Sequence, residues 1–310
     1  MTLHAVGMRV SGARRDVPTF RYCGRVFSNA EIEIIRAITD DPRHDTRAAI
    51  ARAVCSALNW RQPDGTLKVL SCRVALQRME AHGVIWLPLP VHEKRTPRLP
   101  AFTPRSDPHP AITGTLQDLQ QLHLDLVRPG ADSRLWNELV VRYHYLGYQP
   151  MAGAQLRYLA FDGDRPLAAM GFGAAAWRLA PRDRFIGWTP QEREAHLCWV
   201  VCQHRFIILP WVQVPNLASH LLARALRRLR PDFLQRYSYQ PVLVETFIKR
   251  ARFTGTCYAA ANWQCVGQTQ GRGRRGDNPL SVKAIWVYPL VPDFRTVLTA
   301  GRLPVGQKEP

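Results

Sequence analysis

The chain predicts an α/β protein with a small helical head, a linker, and a mixed sheet flanked by helices. Three observations carry this. Residues 20–92 contain three stretches with apolar residues at helical spacing. Residues 93–112 are rich in proline and charge, cannot build a core, and read as a semi-stiff linker. From 113 to 298, apolar strand-like runs alternate with amphipathic helices. Residues 1–19 and 299–310 read as a flexible N-terminus and a tail.

In the head, Ser28-Asn29-Ala30-Glu31 is a capping-box pattern that starts a first helix carrying Ile32, Ile35 and Ile38. A second helix runs from about Thr46 to Asn59, with Ile50, Val54 and Leu58 on one face. Pro63-Asp64-Gly65 is a turn. A third helix, from about Leu70 to His82, carries Val74, Leu76 and Met79 and ends at Gly83. Val84 to Leu89 reads as a strand. Three helices and a strand suit a winged-helix-like head, in which Arg73, Gln77 and Arg78 would face DNA. A plain helical packing domain with solvated arginines is the competing reading.

Beyond the linker, Thr115 is placed to cap a helix carrying Leu116, Leu119 and Leu126. Asp132-Ser133 would cap another that buries Leu135, Trp136, Leu139 and Val140. The apolar runs Leu156–Phe161 and Leu167–Trp177, joined by Asp162-Gly163-Asp164, predict a hairpin. Thr189-Pro190-Gln191-Glu192 starts a helix, and Leu197–Leu209 is a long strand. Asn216 opens a helix to Arg230, with Leu217, Leu221, Leu222, Ala225 and Leu229 inside. Val242 to Gly276 then reads as strand, small-residue helix, second strand and arginine-glycine loop.

Net charge is +18 over 310 residues, with a pI near 10.3, which favours a polyanionic partner or an arginine-rich proteome. A hydrophobic fraction of 46% excludes global disorder. Seven scattered cysteines suit reduced thiols in a cytoplasmic chain. No signal-peptide pattern opens the chain and no apolar run approaches a membrane span, so no membrane partner is expected.

The order of elements over about residues 130–290 resembles the GNAT acetyltransferase-like fold. In that fold, the helix after the long strand offers free N–H groups to a pyrophosphate. Leu209 to Ser219 occupies this junction but lacks the Arg/Gln-x-x-Gly-x-Gly/Ala loop, and Pro210 and Pro215 remove two donors. A closer resemblance is to the DruA family of Druantia anti-phage systems. It rests on YHYLGY (143–148), PRDRFIGW (181–188), RFIILPWVQVPNLAS (205–219), ETFIKRARFTGTCYAAANW (245–263), GQTQGRGR (267–274) and AIWVYPL (284–290). The resemblance implies association with defence or mobile islands and contact with nucleic acid, and it assigns no reaction.

Catalytic candidates are Glu245, Tyr258, His144 and Asp183. Glu245 follows a buried strand, where a carboxylate serves as base, metal ligand or arginine partner, with Arg178, Arg182 or Arg205 as the available partners. His144 lies between two tyrosines and suits either proton transfer or a stacked structural role. Tyr258 stands where the GNAT-like fold often places its general acid. Arg182 and Asp183 suit a phosphate clamp or a loop salt bridge. Cleft candidates are Trp211, Asn216, Cys257, Asn262 and Trp263. Cys257 would need an adjacent base to act as a nucleophile and otherwise packs a helix on a sheet. His196, Cys198, Cys202 and His204 lack a second ligand pair, so no metal is assigned.

Nucleic-acid contacts are assigned to Arg73, Arg78, Arg182, Arg250, Arg252, Arg272, Arg274 and Arg275. Trp211, Phe253, Tyr258 and Trp263 interleave with the basic residues of the C-terminal part. No cofactor is assigned, with acyl-CoA and a divalent metal both left open. The expected partner is nucleic acid, DNA first, alongside other defence-system proteins. Two further readings stay open: a GNAT-type acyl- or aminoacyl-transferase, and a nuclease or transposase-like enzyme using Asp183, Glu192, Glu194 and Glu245.

Overall fold

The computed structural model describes residues 20–62, 65–89, 101–151, 153–270, 272–273, 276–277 and 282–301, with backbone only at 272–273 and 276–277. Pro63-Asp64, residues 93–100 of the expected linker, Arg274 and Arg275 lie outside the described residues. The linker expectation fails over 101–112: Ser106 and Ile112 are buried, Thr103 donates to Glu138, Tyr143 donates to the Ser106 carbonyl, and Ile112 pairs with Val212. Two compact units emerge, one ending at Lys94 and one starting at Arg95.

The first unit opens on a hairpin, β1 (Phe20–Tyr22) and β2 (Arg25–Phe27). Helices α1 (Asn29–Asp40), α2 (Arg47–Ala57) and α3 (Val69–Ala81) follow. The Ser28–Glu31 capping box forms, so α1 starts where the sequence places it. Ile32, Ile35, Ile50, Val54, Cys72, Leu76 and Met79 share one core with Phe27 and Trp60. A winged helix is not what these residues build. Val84–Leu89 forms no strand, and the hairpin precedes α1 instead. Eleven residues separate α2 from α3, too many for a helix-turn-helix corner. Val74 is exposed rather than buried, because Cys72, Ala75, Leu76 and Met79 take the inward positions.

The second unit is built on one seven-stranded sheet. Short β3 (Ile112–Thr113) precedes β4 (Leu122–Leu126), α4 (Ala131–Tyr143), β5 (Leu156–Asp162) and β6 (Arg165–Ala174). Helices α5 (Ala180–Ile186) and α6 (Pro190–His196) lead to β7 (Val200–Ile208), β8 (Val212–Gln213) and α7 (Leu217–Tyr237). Then come β9 (Leu243–Lys249), α8 (Thr256–Ala260), β10 (Gln264–Gln268), β11 (Arg272–Gly273), β12 (Gly276–Asp277), β13 (Lys283–Pro289) and α9 (Phe294–Ala300). The sheet order is β10-β13-β9-β7-β6-β5-β4. All neighbours are antiparallel except β7 and β9, which are parallel. This order and this single parallel pair define the GNAT-like sheet that the sequence predicts.

The helix expected after Thr115 does not form. Thr115 and Asp118 do make a capping box, but it closes only one 3-10 turn, Leu116–Asp118. Leu122, Leu124 and Leu126 then alternate with His123 and Asp125, and that period of two makes an edge strand on β5. Helix α7 runs past Pro231 to Tyr237, because the buried Phe233 anchors the last turns. Arg224 and Arg228 of α7 donate to the backbone oxygens of Leu122 and Leu124, capping the exposed edge of β4.

Candidate functional site

The four catalytic candidates do not share a site. Glu245 is fully buried on β9 and points towards α5. Its carboxylate accepts from the Ala176 amide at 2.7 Å and from Arg182 at 2.8 Å. Burial, the largest influence, leaves this carboxyl above its ordinary value, although Arg182 and the Ala176 amide lower it. Arg182 is itself 0% exposed and donates to the Ala176 carbonyl and to Asp183. Asp183 also accepts from the Trp188 indole, the Leu179 amide and Arg193. Glu245, Arg182 and Asp183 are fully matched in this network, which fastens α5 and α6 to the sheet. Arg182 therefore cannot contact a phosphate in this structure.

Thr246, next along β9, faces the other side of the sheet. There Gln203 of β7, its register partner, accepts from the Tyr258 hydroxyl at 2.9 Å. Tyr258 is packed by Phe206, Trp263 and Trp286, and burial pushes its phenol well above the usual range. The sheet thus stands between Glu245 and Tyr258, so the two cannot act on one substrate atom. His144 is 8% exposed, stacked on Tyr145 at 4.9 Å, and accepts from the Leu146 amide. Burial, then Arg205 and Arg252, lowers it to about 4, so it is neutral at physiological pH.

The remaining enzyme candidates take structural places. Glu192 caps α6 through the Thr189 amide. The His204 ring bonds the Ala174 carbonyl and the His196 ring bonds the Leu298 carbonyl. Among the described residues, no three potential metal ligands come together. Trp211 is a core residue that donates to the Pro166 carbonyl at 3.2 Å, and Trp263 is buried against Tyr258. Burial raises the half-buried Cys257 thiol, which disfavours the thiolate. Asn216 and Asn262 do share a cavity, about 490 Å³, together with Ser219, His220 and Arg227. Both adopt left-handed backbone conformations, with φ of 63° and 62°.

The loop ahead of α7 offers an acyl-CoA pyrophosphate few amides. Pro210 and Pro215 carry no N–H, and the Val212 and Leu217 amides turn inward to Leu209 and Val214. β8 is paired with β3, which ties this junction down further. Four amide donors of the loop ahead of α7 are therefore unavailable to that group.

The basic residues do converge. β7 and β9 pair only as far as Gln203 and Thr246, after which β7 follows β6 and β9 follows β13. At this parted end Lys249 lies directly opposite Lys283. Arg250 follows and donates to Gln268. Arg252 lies over the Tyr145 ring at 5.0 Å, and Tyr145 packs on the exposed Phe253. The arginine-glycine segment leaves the sheet here, between β10 and β13, with β11 and β12 paired in it. From Thr246 to Lys283 the chain has seven basic residues against Asp277 alone. Lys283 and Tyr145 carry no site expectation from the sequence, because the register and loop path that unite them with Lys249 are tertiary. In the head, Arg73 and Arg78 are exposed on α3.

The fold and these surfaces define an acetyltransferase-like α/β protein with a cationic, aromatic sheet end. The family model described as Druantia protein DruA matches residues 91–277, and the chain belongs to that family, which is named for an anti-phage defence system. No curated protein matches the sequence. Among solved structures, a spermidine/spermine N-acetyltransferase from Vibrio cholerae is 14% identical and covers 56% of this chain and 94% of its own, with a TM-score of 0.35. An acetyltransferase from Bacillus subtilis, solved with CoA, is 10% identical and covers 55% and 99%, with a TM-score of 0.36. The fold assignment rests on strand order and direction. Among the described residues no helix is long and apolar enough to cross a membrane.

Proposed function

We propose that this chain is the nucleic-acid-engaging member of an anti-phage system and grips the phosphate backbone at the parted end of its sheet. One observation carries the reading. Lys249 and Lys283 are direct cross-strand neighbours, with Arg250 and Arg252 beside them. Like charges placed directly opposite destabilise a sheet, and a polyanion offsets that cost. Tyr145 and Phe253 add aromatic faces on which bases can stack. The exposed Arg73 and Arg78 of α3 form a second, backbone-directed contact to duplex DNA. The test is binding of single-stranded and duplex DNA and of RNA over a salt series, with a Lys249→Ala, Arg250→Ala, Arg252→Ala variant. About three lost phosphate contacts should lower the salt slope by roughly 2–3. A folded variant with unchanged affinity and slope removes this sheet end from the interface.

A further inference from the structure

A second cavity, about 170 Å³, lies between α4, β5 and the segment after His144, lined by Ser133, Trp136, Asn137, Tyr148, Gln149 and Arg157 among others. Arg157 sits on β5 with its guanidinium over Trp136 at 5.2 Å. It donates to Asn137 Oδ1 at 3.0 Å and to Ser133 Oγ at 2.9 Å, both neutral acceptors. Among the described residues no carboxylate forms a salt bridge with it, and burial disfavours its charge, with Tyr148, Arg236 and Tyr237 nearby. An arginine fork fixed by neutral partners in a recess is a cation held ready for a planar-matched anion. The cavity is smaller than the roughly 300–1,000 Å³ of pockets for drug-sized ligands, so it suits one charged group.

Its position suggests which group. Arg157 pairs with Gly171, and Gly171 with Arg205 of β7, so the cavity is level with the parting of β7 and β9. Arg205 holds the Gly147 carbonyl at 3.0 Å. The stretch 144–149 therefore has Tyr145 on the cationic sheet end and Tyr148 and Gln149 in the cavity.

We propose that this cavity takes the terminal phosphate of a nucleic-acid strand whose adjoining nucleotides lie on the sheet end. This rests on the interface proposed above, and the test separates the two. Oligonucleotides phosphorylated at the 5′ or 3′ end are compared with the unphosphorylated strand by anisotropy. Inorganic phosphate is titrated calorimetrically, with acetate as the carboxylate control. One phosphorylated strand should bind at least fivefold more tightly. That preference should vanish in Arg157→Gln, while the unphosphorylated strand binds as before. Arg157→Lys, which keeps charge but loses the fork, should retain only part of the preference, and it carries the test if Arg157→Gln does not fold. Equal affinity for all strands in the native protein overturns the proposal. Acetate binding as tightly as phosphate also overturns it. If no strand binds at all, the sheet-end interface fails, and a saturable phosphate isotherm lost in Arg157→Gln then leaves a phosphate site unconnected to a strand, which also overturns the end-recognition proposal.

Discussion

Glu245 shows how a residue that sequence offers for catalysis becomes a structural one. Its carboxylate and the Arg182 guanidinium are both fully buried and bonded to each other and to Ala176. Breaking one partner of such a pair costs about 3–5 kcal/mol, because the other charge is left buried alone. Glu245→Gln is therefore expected to lower the melting temperature by many degrees, and a melt within a degree or two of native would reassign it. His144 gives a pH signature. Its folded value, near 4, lies below the ordinary 6.5 because of burial and then Arg205 and Arg252. Protonation thus favours the unfolded chain, so the stability it contributes is present above about pH 6.5 and is lost as pH falls towards 4. The loss amounts to roughly 3 kcal/mol at most. Denaturant midpoints across this window should show a shallower acid decline in His144→Gln than in the native protein.

At the scale of elements, local signals with a physical cause placed what they govern. The Ser28 and Thr189 capping boxes form as read, since each needs only residues three apart. Ser28→Ala should cost about 1 kcal/mol. The core of the first unit is continuous from Tyr22 to Ile85. A fragment spanning residues 20–92 is thus expected to fold alone, with protected amides in α1, α2 and α3; rapid exchange throughout would move the domain boundary. The elements that went astray were those decided by partners. β4 is a strand because β5 and the arginines of α7 satisfy it. α7 crosses Pro231 because Phe233 and the turns beyond are packed.

For the whole molecule, the charge of +18 matters by its placement. Several arginines that look available are spent internally: Arg182 on Glu245, Arg224 and Arg228 on β4, and Arg205 on Gly147. Lys249, Lys283, Arg250 and Arg252 stand instead at the parted sheet end proposed as the interface. Arg272, Arg274 and Arg275 belong to the segment that leaves this end, and replacing all of them by alanine should flatten the salt slope of nucleic-acid binding by roughly 2–3. Additive losses with the Lys249–Arg252 variant would mark one extended footprint, whereas an unchanged slope would leave the arginine-glycine segment outside it.

The sequence by itself determined the α/β class, the helical head, most of the strand-and-helix order of the larger unit after β4, and the family. Periodicity, capping and long segments such as 245–263 are properties of neighbouring residues and survive without a structure. Only the tertiary structure decided which face each residue serves. One step along β9 puts Glu245 and Thr246 on opposite sides of the sheet, which separates Glu245 from Tyr258. One register sets Lys249 against Lys283, thirty-four residues away in the chain. Which residues meet across a sheet depends on pairing between distant segments, and no local pattern encodes that pairing.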